Sequence, residues 1–145
     1  MAVDVMTEIQ IRRPRGEVSA FAADPTNATA WYKNITAIEW ETPPPAAVGS
    51  RIRFSARFLG RTLNYTYEVR ELELGRRFVM ATAQGPFPME TTYTWEDAPG
   101  GATRMTLRNR GEPSGFGAVA APVMTRAMRK ANEADLQRLK SLLEH

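Results

Sequence analysis

The stretch Ser50–Arg70, with the sequence SRIRFSARFLGRTLNYTYEVR, decides the fold of this chain. Apolar and polar residues alternate along the two segments that flank Gly60-Arg61. Strand side chains point to opposite faces in turn, so each segment predicts a β-strand with one buried and one solvated face. Glycine at the first position of Gly60-Arg61 suits a two-residue turn that needs a positive φ. The sequence therefore predicts a β-hairpin closed at this turn.

This turn also predicts the register of the hairpin. The expected pairs on the buried face are Phe58–Leu63, Ala56–Tyr65, Phe54–Tyr67 and Ile52–Val69. On the other face the same register sets Arg53 opposite Glu68, so the charge pairing agrees with the apolar pairing. The buried face then carries two tyrosine hydroxyls, which are either satisfied within a core or serve as polar anchors around an apolar ligand.

The alternating pattern recurs on both sides of the hairpin. Further strands are predicted over Val3–Arg13, Ile35–Thr42, Arg77–Ala83, Met89–Glu96 and Thr103–Gly111, and the second hairpin strand continues to about Leu74. The buried face of the Arg77–Ala83 strand stays open, since Phe78/Met80 and Val79/Ala81 would both serve. Prolines near the start favour two short helices, Pro14–Ala23 and Pro25–Tyr32.

The C-terminal part of the chain changes to a helical period. The residues of its apolar stripe are Phe116, Val119, Ala120, Val123, Met124, Ala127, Met128, Ala131, Leu139 and Leu142. Ser114 is a predicted N-cap, and Pro122 either kinks the helix or marks its true start. The alanines and methionines of the stripe leave either an adaptable cavity or a dense core with methionine as filler. The fold class is α+β: a seven-stranded twisted antiparallel sheet covered by this helix, in the order β-α-α-β6-α.

Composition excludes several classes of site. Cysteine is absent, and the single histidine is His145. Nucleophilic triads, Cys–His pairs and imidazole or thiolate metal sites are therefore excluded, and we expect neither a metal nor a cofactor. The ending Leu143-Glu144-His145 resembles the start of a purification-tag remnant. No apolar run reaches membrane-spanning length and no signal-peptide pattern is present, so we expect a cytoplasmic protein without a membrane span.

The charge pattern bears on a nucleic-acid partner. The net charge is +3, but 16 acidic residues are interspersed among the arginines. The arginines on predicted solvated strand faces are Arg51, Arg53, Arg57, Arg104, Arg108 and Arg110. No groove-reading helix or aromatic–basic motif accompanies them, so we expect no specific nucleic-acid partner.

Short motifs spread over nearly the whole chain carry a family resemblance. They are Pro14-x-x-Glu17-Val18-x-x-Phe21, Asp24-Pro25 followed by Trp31, Gly75-Arg76-Arg77, and Gly100-Gly101-Ala102-Thr103-Arg104. Together with the element order, they resemble the START/Bet v 1-like (SRPBCC) superfamily, specifically its polyketide cyclase/dehydrase and lipid-transport branch. These motifs belong to the scaffold and none is catalytic, so they indicate the fold more strongly than the function.

The resemblance implies a helix-grip fold with a deep apolar cavity between the sheet and the C-terminal helix. It implies a single ligand-binding domain over residues 1–142, with residues 143–145 as the tag remnant. Strand parity and the helix stripe then give the candidate lining residues, which are Phe54, Phe58, Tyr65, Tyr67, Tyr93, Trp95, Met105, Leu107, Asn109, Met124 and Met128. Asn109 is either a hydrogen-bonding group of the cavity or part of a frayed strand end.

Three functions are compatible with this reading. The leading one is binding of a small hydrophobic ligand (a lipid, a polyketide or an aromatic molecule) in a pocket with few polar anchors. The second is a polyketide cyclase/dehydratase-like enzyme that uses a tyrosine as proton donor in the same pocket. Glu71 is the one acidic residue with buried-strand parity, and it lies near a turn where we expect exposure. The third is a co-chaperone-like interaction module. The sequence identifies no catalytic residue and leaves the oligomeric state open, a homodimer included.

Overall fold

The computed structural model describes residues 3–58, 60–85, 88–112 and 121–144. Within these ranges the chain forms one antiparallel sheet of seven strands. The strands are β1 (Val3–Ile11), β2 (Ile35–Trp40), β3 (Arg51–Phe58), β4 (Arg61–Glu73), β5 (Arg77–Gln84), β6 (Met89–Ala98) and β7 (Ala102–Gly111). Their order across the sheet is β1-β7-β6-β5-β4-β3-β2, which confirms the predicted hairpin succession and fold class.

Two short helices carry the chain from one edge strand, β1, to the other, β2. They are α1 (Arg15–Ala22) and α2 (Ala28–Trp31), separated by a 3-10 turn at Pro25–Asn27. The Asp24 side chain accepts a hydrogen bond from the Thr26 backbone N–H at 3.0 Å, which starts this turn. Trp31 ends α2 fully buried in the core.

The register of the central hairpin differs from the prediction by two residues. Phe58 pairs with Arg61, and Phe54 pairs with Tyr65. Gly60, at φ 77°, is therefore the residue just before β4 and not the first residue of the turn. A shift of two residues keeps every side chain on its predicted face, so the buried face is correct.

The charge pairing of the hairpin changes with this register. Arg51, and not Arg53, lies opposite Glu68, with 3.6 Å between the guanidinium Nε and the carboxylate. Arg53 pairs with Thr66 instead. The predicted Arg53–Glu68 pair was therefore wrong, and Arg51 is the arginine that lies opposite Glu68.

The C-terminal helix α3 (Ala121–Glu144) packs along the sheet and makes many of its contacts with β1. Its fully buried side chains include Met124, Leu136 and Leu139. Val123 is 56% exposed, so its placement in the buried stripe was wrong. The predicted N-cap Ser114 and the stripe residues 116, 119 and 120 lie outside the described residues. The described part of α3 begins at Ala121, so Pro122 lies in its first turn.

Three further sequence predictions concern the buried face of β5, the exposure of Glu71 and the C-terminal residues 143–145. In β5, Phe78 and Met80 belong to the main core cluster, which decides the face that the pattern left open. Glu71 is exposed and pairs with Arg77 at 2.7 Å, as expected near a turn. Glu144 belongs to α3, and the assignment of residues 143–145 to a tag remnant stays a prediction.

The outer face of the sheet carries pairs of opposite charge. Arg108 holds the Asp4 carboxylate with two hydrogen bonds of 2.8 and 2.6 Å. Arg104 pairs with Glu8 on the neighbouring strand. The arginines of the solvated faces are thus largely engaged by acidic neighbours. No helix within the described ranges is long and apolar enough to cross a membrane.

Candidate functional site

A cavity of about 140 Å³ lies between the curled sheet and α3. Aromatic side chains of three strands form one wall, namely Phe54, Tyr65, Tyr67 and Tyr93. The Phe54 ring packs against both Tyr65 and Tyr67, with ring centroids 5.8 and 5.6 Å apart. Met80, Met89 and Met128 complete much of the apolar lining. The alternation of the sequence places these groups on one face, and the curl of the sheet brings them together.

Seven of the eleven predicted lining residues lie in the wall of this cavity. They are Phe54, Phe58, Tyr65, Tyr67, Tyr93, Asn109 and Met128. Asn109 therefore lies at the cavity, although its role toward a ligand stays a prediction.

The other four predicted lining residues do not line the cavity. Trp95, Met105 and Leu107 are buried in the main core cluster, and Met124 lies in a second cluster with Val3 and Val5. They lie on the predicted side of their elements but at other positions along them, where the packing closes. The alternation of residues along a strand predicts which face of the sheet a side chain is on. It does not predict where along that face the helix and the sheet separate to leave a cavity.

Sequence reasoning missed the polar groups that α3 contributes. Asn132 and Asp135 both line the cavity and are only 4% and 2% exposed. They follow Met128 by four and seven residues, the spacing that places side chains on one helix face. This spacing would have found them, but the stripe was traced through apolar residues alone. Tyr32 and Asn34, which follow α2, were also missed.

Two tyrosines meet at one end of the cavity. The Tyr32 and Tyr93 hydroxyls are 2.6 Å apart and share a hydrogen bond. Burial raises the pKa of both phenols, and the negative charge of Asp135 adds to the rise. Both side chains are therefore neutral at physiological pH, and one of the two hydroxyl protons is used by the other tyrosine.

A second series of hydrogen-bonded side chains crosses the sheet, from Tyr67 through Thr91 to Asn109. Thr91 Oγ1 donates to the Asn109 side-chain oxygen at 2.7 Å and lies 3.0 Å from the Tyr67 hydroxyl. Since threonine has a single hydroxyl proton, Tyr67 is the donor to Thr91. Tyr67 then offers a lone pair, and not a proton, to a molecule in the cavity. Burial raises the pKa of its phenol to about 12.

Tyr65 is the aromatic anchor with a free hydroxyl. Within the described part of the chain its hydroxyl has no hydrogen-bond partner, and burial raises its pKa well above the ordinary range. The Tyr65 side chain is half-buried, and its hydroxyl is not one of the fully buried polar atoms that lack a partner, so it borders space that a small molecule can reach. The Tyr65 hydroxyl is therefore available to a ligand as donor or acceptor.

Asp135 is a buried carboxylate at the cavity. Its Oδ1 accepts a hydrogen bond from the Lys33 backbone N–H at 3.0 Å, and the Arg138 guanidinium lies 3.7 Å away. Burial raises the pKa of this carboxyl to about 6, against the opposing effects of Lys33 and Arg138. One turn earlier, the buried side-chain nitrogen of Asn132 has no hydrogen-bond partner. This end of the cavity can therefore accept hydrogen bonds through Asp135 and donate them through Asn132. The carboxyl of Asp135 can also gain or lose a proton near neutral pH.

No metal-ligating cluster accompanies these groups. Among residues 3–58, 60–85, 88–112 and 121–144, no three His, Cys, Asp or Glu side chains are placed to hold a metal ion. The polar groups that the described wall offers are phenols, threonine hydroxyls, amides and one carboxylate.

Comparison with solved structures shows the fold of the chain. A START superfamily protein from Mycobacterium smegmatis superposes with a TM-score of 0.82 at 14% identity, covering 97% of both chains. The Zhui aromatase/cyclase from Streptomyces sp. R1128 gives 0.79 at 13% identity, covering 98% of this chain and 93% of that one. Major latex-like protein 151 from Panax ginseng gives 0.75 at 9% identity and 97% of both chains.

Comparison with curated proteins gives no match. The family model described as polyketide cyclase / dehydrase and lipid transport matches residues 2–144, nearly the whole sequence. This match agrees with the helix-grip fold, in which the curled sheet packs against the C-terminal helix. The chain therefore belongs to the polyketide cyclase/dehydrase and lipid transport family.

Proposed function

We propose that this protein binds a compact hydrophobic ligand in the cavity between the sheet and α3. The observation that carries the proposal is the cavity itself, with its apolar aromatic wall and a few separate polar groups. Such a lining is typical of small-molecule sites, in which apolar contacts supply affinity and isolated polar groups fix orientation. Membership of a family described by polyketides and lipids supports the same class of ligand.

The size of the cavity narrows this class. Its volume of about 140 Å³ is close to that of an engineered cavity of roughly 150 Å³ that holds benzene. A molecule with one aromatic ring therefore fits without rearrangement, whereas a long lipid or polyketide requires the cavity to widen. The methionines Met80, Met89 and Met128 are flexible enough to allow some widening. We favour a single-ring aromatic molecule or the ring end of a larger one.

A cavity-filling substitution tests this proposal. Ala131 lies on α3 in the cavity wall, and Ala134 lies exposed on the same helix. Toluene should bind the unmodified protein and Ala134→Leu, and shift the backbone amide resonances of cavity residues in NMR titrations. Ala131→Leu should abolish these shifts, because the added methyl groups occupy the space of the ring. Toluene binding that persists unchanged in a folded Ala131→Leu variant contradicts the proposal.

The polar anchors are tested with a matched pair of ligands. Phenol should bind Tyr65→Phe more weakly than the unmodified protein by about 0.5–1.5 kcal/mol, the usual net value of a neutral hydrogen bond. Toluene has no hydroxyl and should bind both proteins equally. An equal loss for toluene and phenol would show that Tyr65 contributes shape alone.

Asp135 supports a second candidate function, a cyclase/dehydratase-like enzyme in the same cavity. A carboxyl with a pKa of about 6, beside two hydrogen-bonded phenols, is suited to proton transfer near neutral pH. Removal of such a group typically lowers turnover by roughly 10²- to 10⁴-fold. A polyketide-like substrate whose turnover falls by this amount in Asp135→Asn, with binding retained, would favour the enzyme.

A further inference from the structure

Asp135 is the one charged side chain in the described wall of the cavity. We infer that it makes the cavity selective for charge: the carboxylate accepts hydrogen bonds from the ammonium group of a compact aromatic amine, and aromatic carboxylates are rejected. This inference rests on the proposed binding function and adds the chemical class of the ligand. It follows from the placement of Asp135, its incomplete pairing and the groups that surround it.

The negative charge of Asp135 is only partly compensated. One carboxylate oxygen accepts the hydrogen bond from the Lys33 backbone N–H, and the Lys33 ammonium attracts the carboxylate from a distance without forming an ion pair with it among the described residues. The nearest guanidinium, that of Arg138, is 3.7 Å away and donates its hydrogen bond of 3.0 Å to the Trp31 carbonyl instead. A buried charge with a loose partner keeps an electric field in the low-dielectric space beside it. The cavity is that space.

The neighbouring groups suit an ammonium ion. The Tyr32 and Tyr93 side chains line the same cavity, and aromatic ring faces attract cations. An ammonium group carries three donors and no acceptor, so it complements a carboxylate and phenolic lone pairs. A carboxylate ligand would meet the ionised Asp135 as a like charge, and the two could share a hydrogen bond only after one of them takes up a proton.

The unpaired nitrogen of Asn132 is independent evidence that a ligand completes this end of the cavity. Asn132 is 4% exposed, and its side-chain nitrogen has no partner among the described residues. An unsatisfied buried donor costs free energy, and native proteins rarely keep one without a use. An oxygen atom adjacent to the amine of the ligand would accept this hydrogen bond.

The titratable surroundings of Asp135 determine the pH dependence of this selectivity. The charged and titratable groups that face it are Arg138 on α3, Lys33 after α2, Tyr32 and Tyr93. The tyrosines have raised pKa values and stay neutral below pH 9, so Asp135 itself is the group that titrates near pH 6. The preference for amines should therefore be strong above this pH and should weaken as the carboxyl is protonated.

Three single-ring probes of similar size test the inference: benzylamine, benzyl alcohol and benzoate. Their dissociation constants are measured by NMR titration at about pH 7.5, where Asp135 is ionised. The ratio of the benzoate to the benzylamine constant should fall at least ~10-fold in Asp135→Asn, the usual scale of a charge-assisted hydrogen bond. Comparing this ratio between proteins cancels the hydration of the probes. Glu133→Gln removes one exposed negative charge from the same helix and should leave the ratio unchanged.

Each outcome has a defined meaning. Binding of benzyl alcohol with a ratio that is the same in Asp135→Asn as in the unmodified protein overturns the charge selectivity and leaves the proposed function intact. Failure of all three probes to bind contradicts the proposed function, and this inference with it. A ratio that falls in Asp135→Asn, and that also falls in the unmodified protein at about pH 5 where the carboxyl is protonated, supports the inference.

Discussion

Replacement of Asp135 by asparagine should stabilise the protein at neutral pH. The carboxyl is 2% exposed, and its pKa rises from 3.8 in its ordinary environment to about 6 in the fold. Asparagine has the same shape and keeps an oxygen that accepts the hydrogen bond from the Lys33 backbone N–H. Asparagine carries no charge, so the free-energy cost of burying the carboxylate disappears while the shape of the side chain and its hydrogen bond stay.

The sign and size of the effect follow from linkage. Well below its unfolded pKa of 3.8 the carboxyl is protonated in both the folded and the unfolded chain, so it does not change the free energy of unfolding. As the pH rises from about 4 to about 6, the unfolded chain loses this proton first, and the folded state is destabilised relative to it. The rise from 3.8 to about 6 corresponds to about 3 kcal/mol at neutral pH. The attraction to Arg138 is already included in this pKa, so we expect Asp135→Asn to gain up to about 3 kcal/mol at neutral pH.

Urea denaturation followed by circular dichroism measures this difference. The free energies of unfolding of the unmodified protein and of Asp135→Asn are compared at about pH 7.5 and at about pH 4.5. Glu133→Gln, exposed on the same helix, controls for the change in net charge. The stabilisation should be clear at the higher pH and should shrink at the lower one. A variant less stable than the unmodified protein at about pH 7.5, or a difference independent of pH, would refute the reasoning.

Two further predictions concern the core and the outer face of the sheet. Leu139→Ala should lower the free energy of unfolding by about 2–5 kcal/mol, because Leu139 is a fully buried residue of α3 in the main core cluster. Leu74→Ala, in an exposed turn, should change the same quantity by less than about 0.5 kcal/mol, and similar losses for the two would contradict the core assignment. Nucleic-acid binding, measured by fluorescence anisotropy, should vanish at about 150 mM salt, since arginines such as Arg108 are paired with acidic side chains. Sequence-specific binding that persists at this salt concentration would contradict the interpretation of that face.

The sequence predicted the faces of the hairpin strands more reliably than their register. Alternation of apolar and polar side chains determines a face, and the buried face of Phe54, Tyr65 and Tyr67 was correct. The register depended on the position of Gly60 within the turn, for which a glycine offers two positions with positive φ. The two positions differ by one residue, and the registers that result differ by two residues and keep the same faces. The pattern of buried residues in the sequence therefore could not distinguish the two registers.

The cavity shows a similar limit. Seven predicted residues reached its wall because parity and the helix stripe place them on the facing surfaces. Trp95 and Met105 lie in the core instead, because the separation between helix and sheet depends on the curl of the whole sheet. Asp135 escaped prediction since a stripe of apolar residues does not admit a carboxylate, although its helix spacing from Met128 was available. Functional groups that break the apolar pattern are those that sequence reasoning is least able to find.

The hydrogen-bond directions in the cavity decide which groups can act as acids. Tyr67 gives its proton to Thr91, and either Tyr32 or Tyr93 gives its proton to the other. The phenols all have raised pKa values, and a group with a pKa of about 12, like that of Tyr67, is a poor proton donor near neutral pH. The carboxyl of Asp135 is the one group in the described wall whose pKa suits both loss and gain of a proton. Proton transfer near neutral pH by the described wall would therefore rely on Asp135, the residue that we infer also makes the cavity selective for amines. Because we predict that the same side chain lowers the free energy of unfolding at neutral pH, its presence in a buried wall is better explained by a ligand than by the fold.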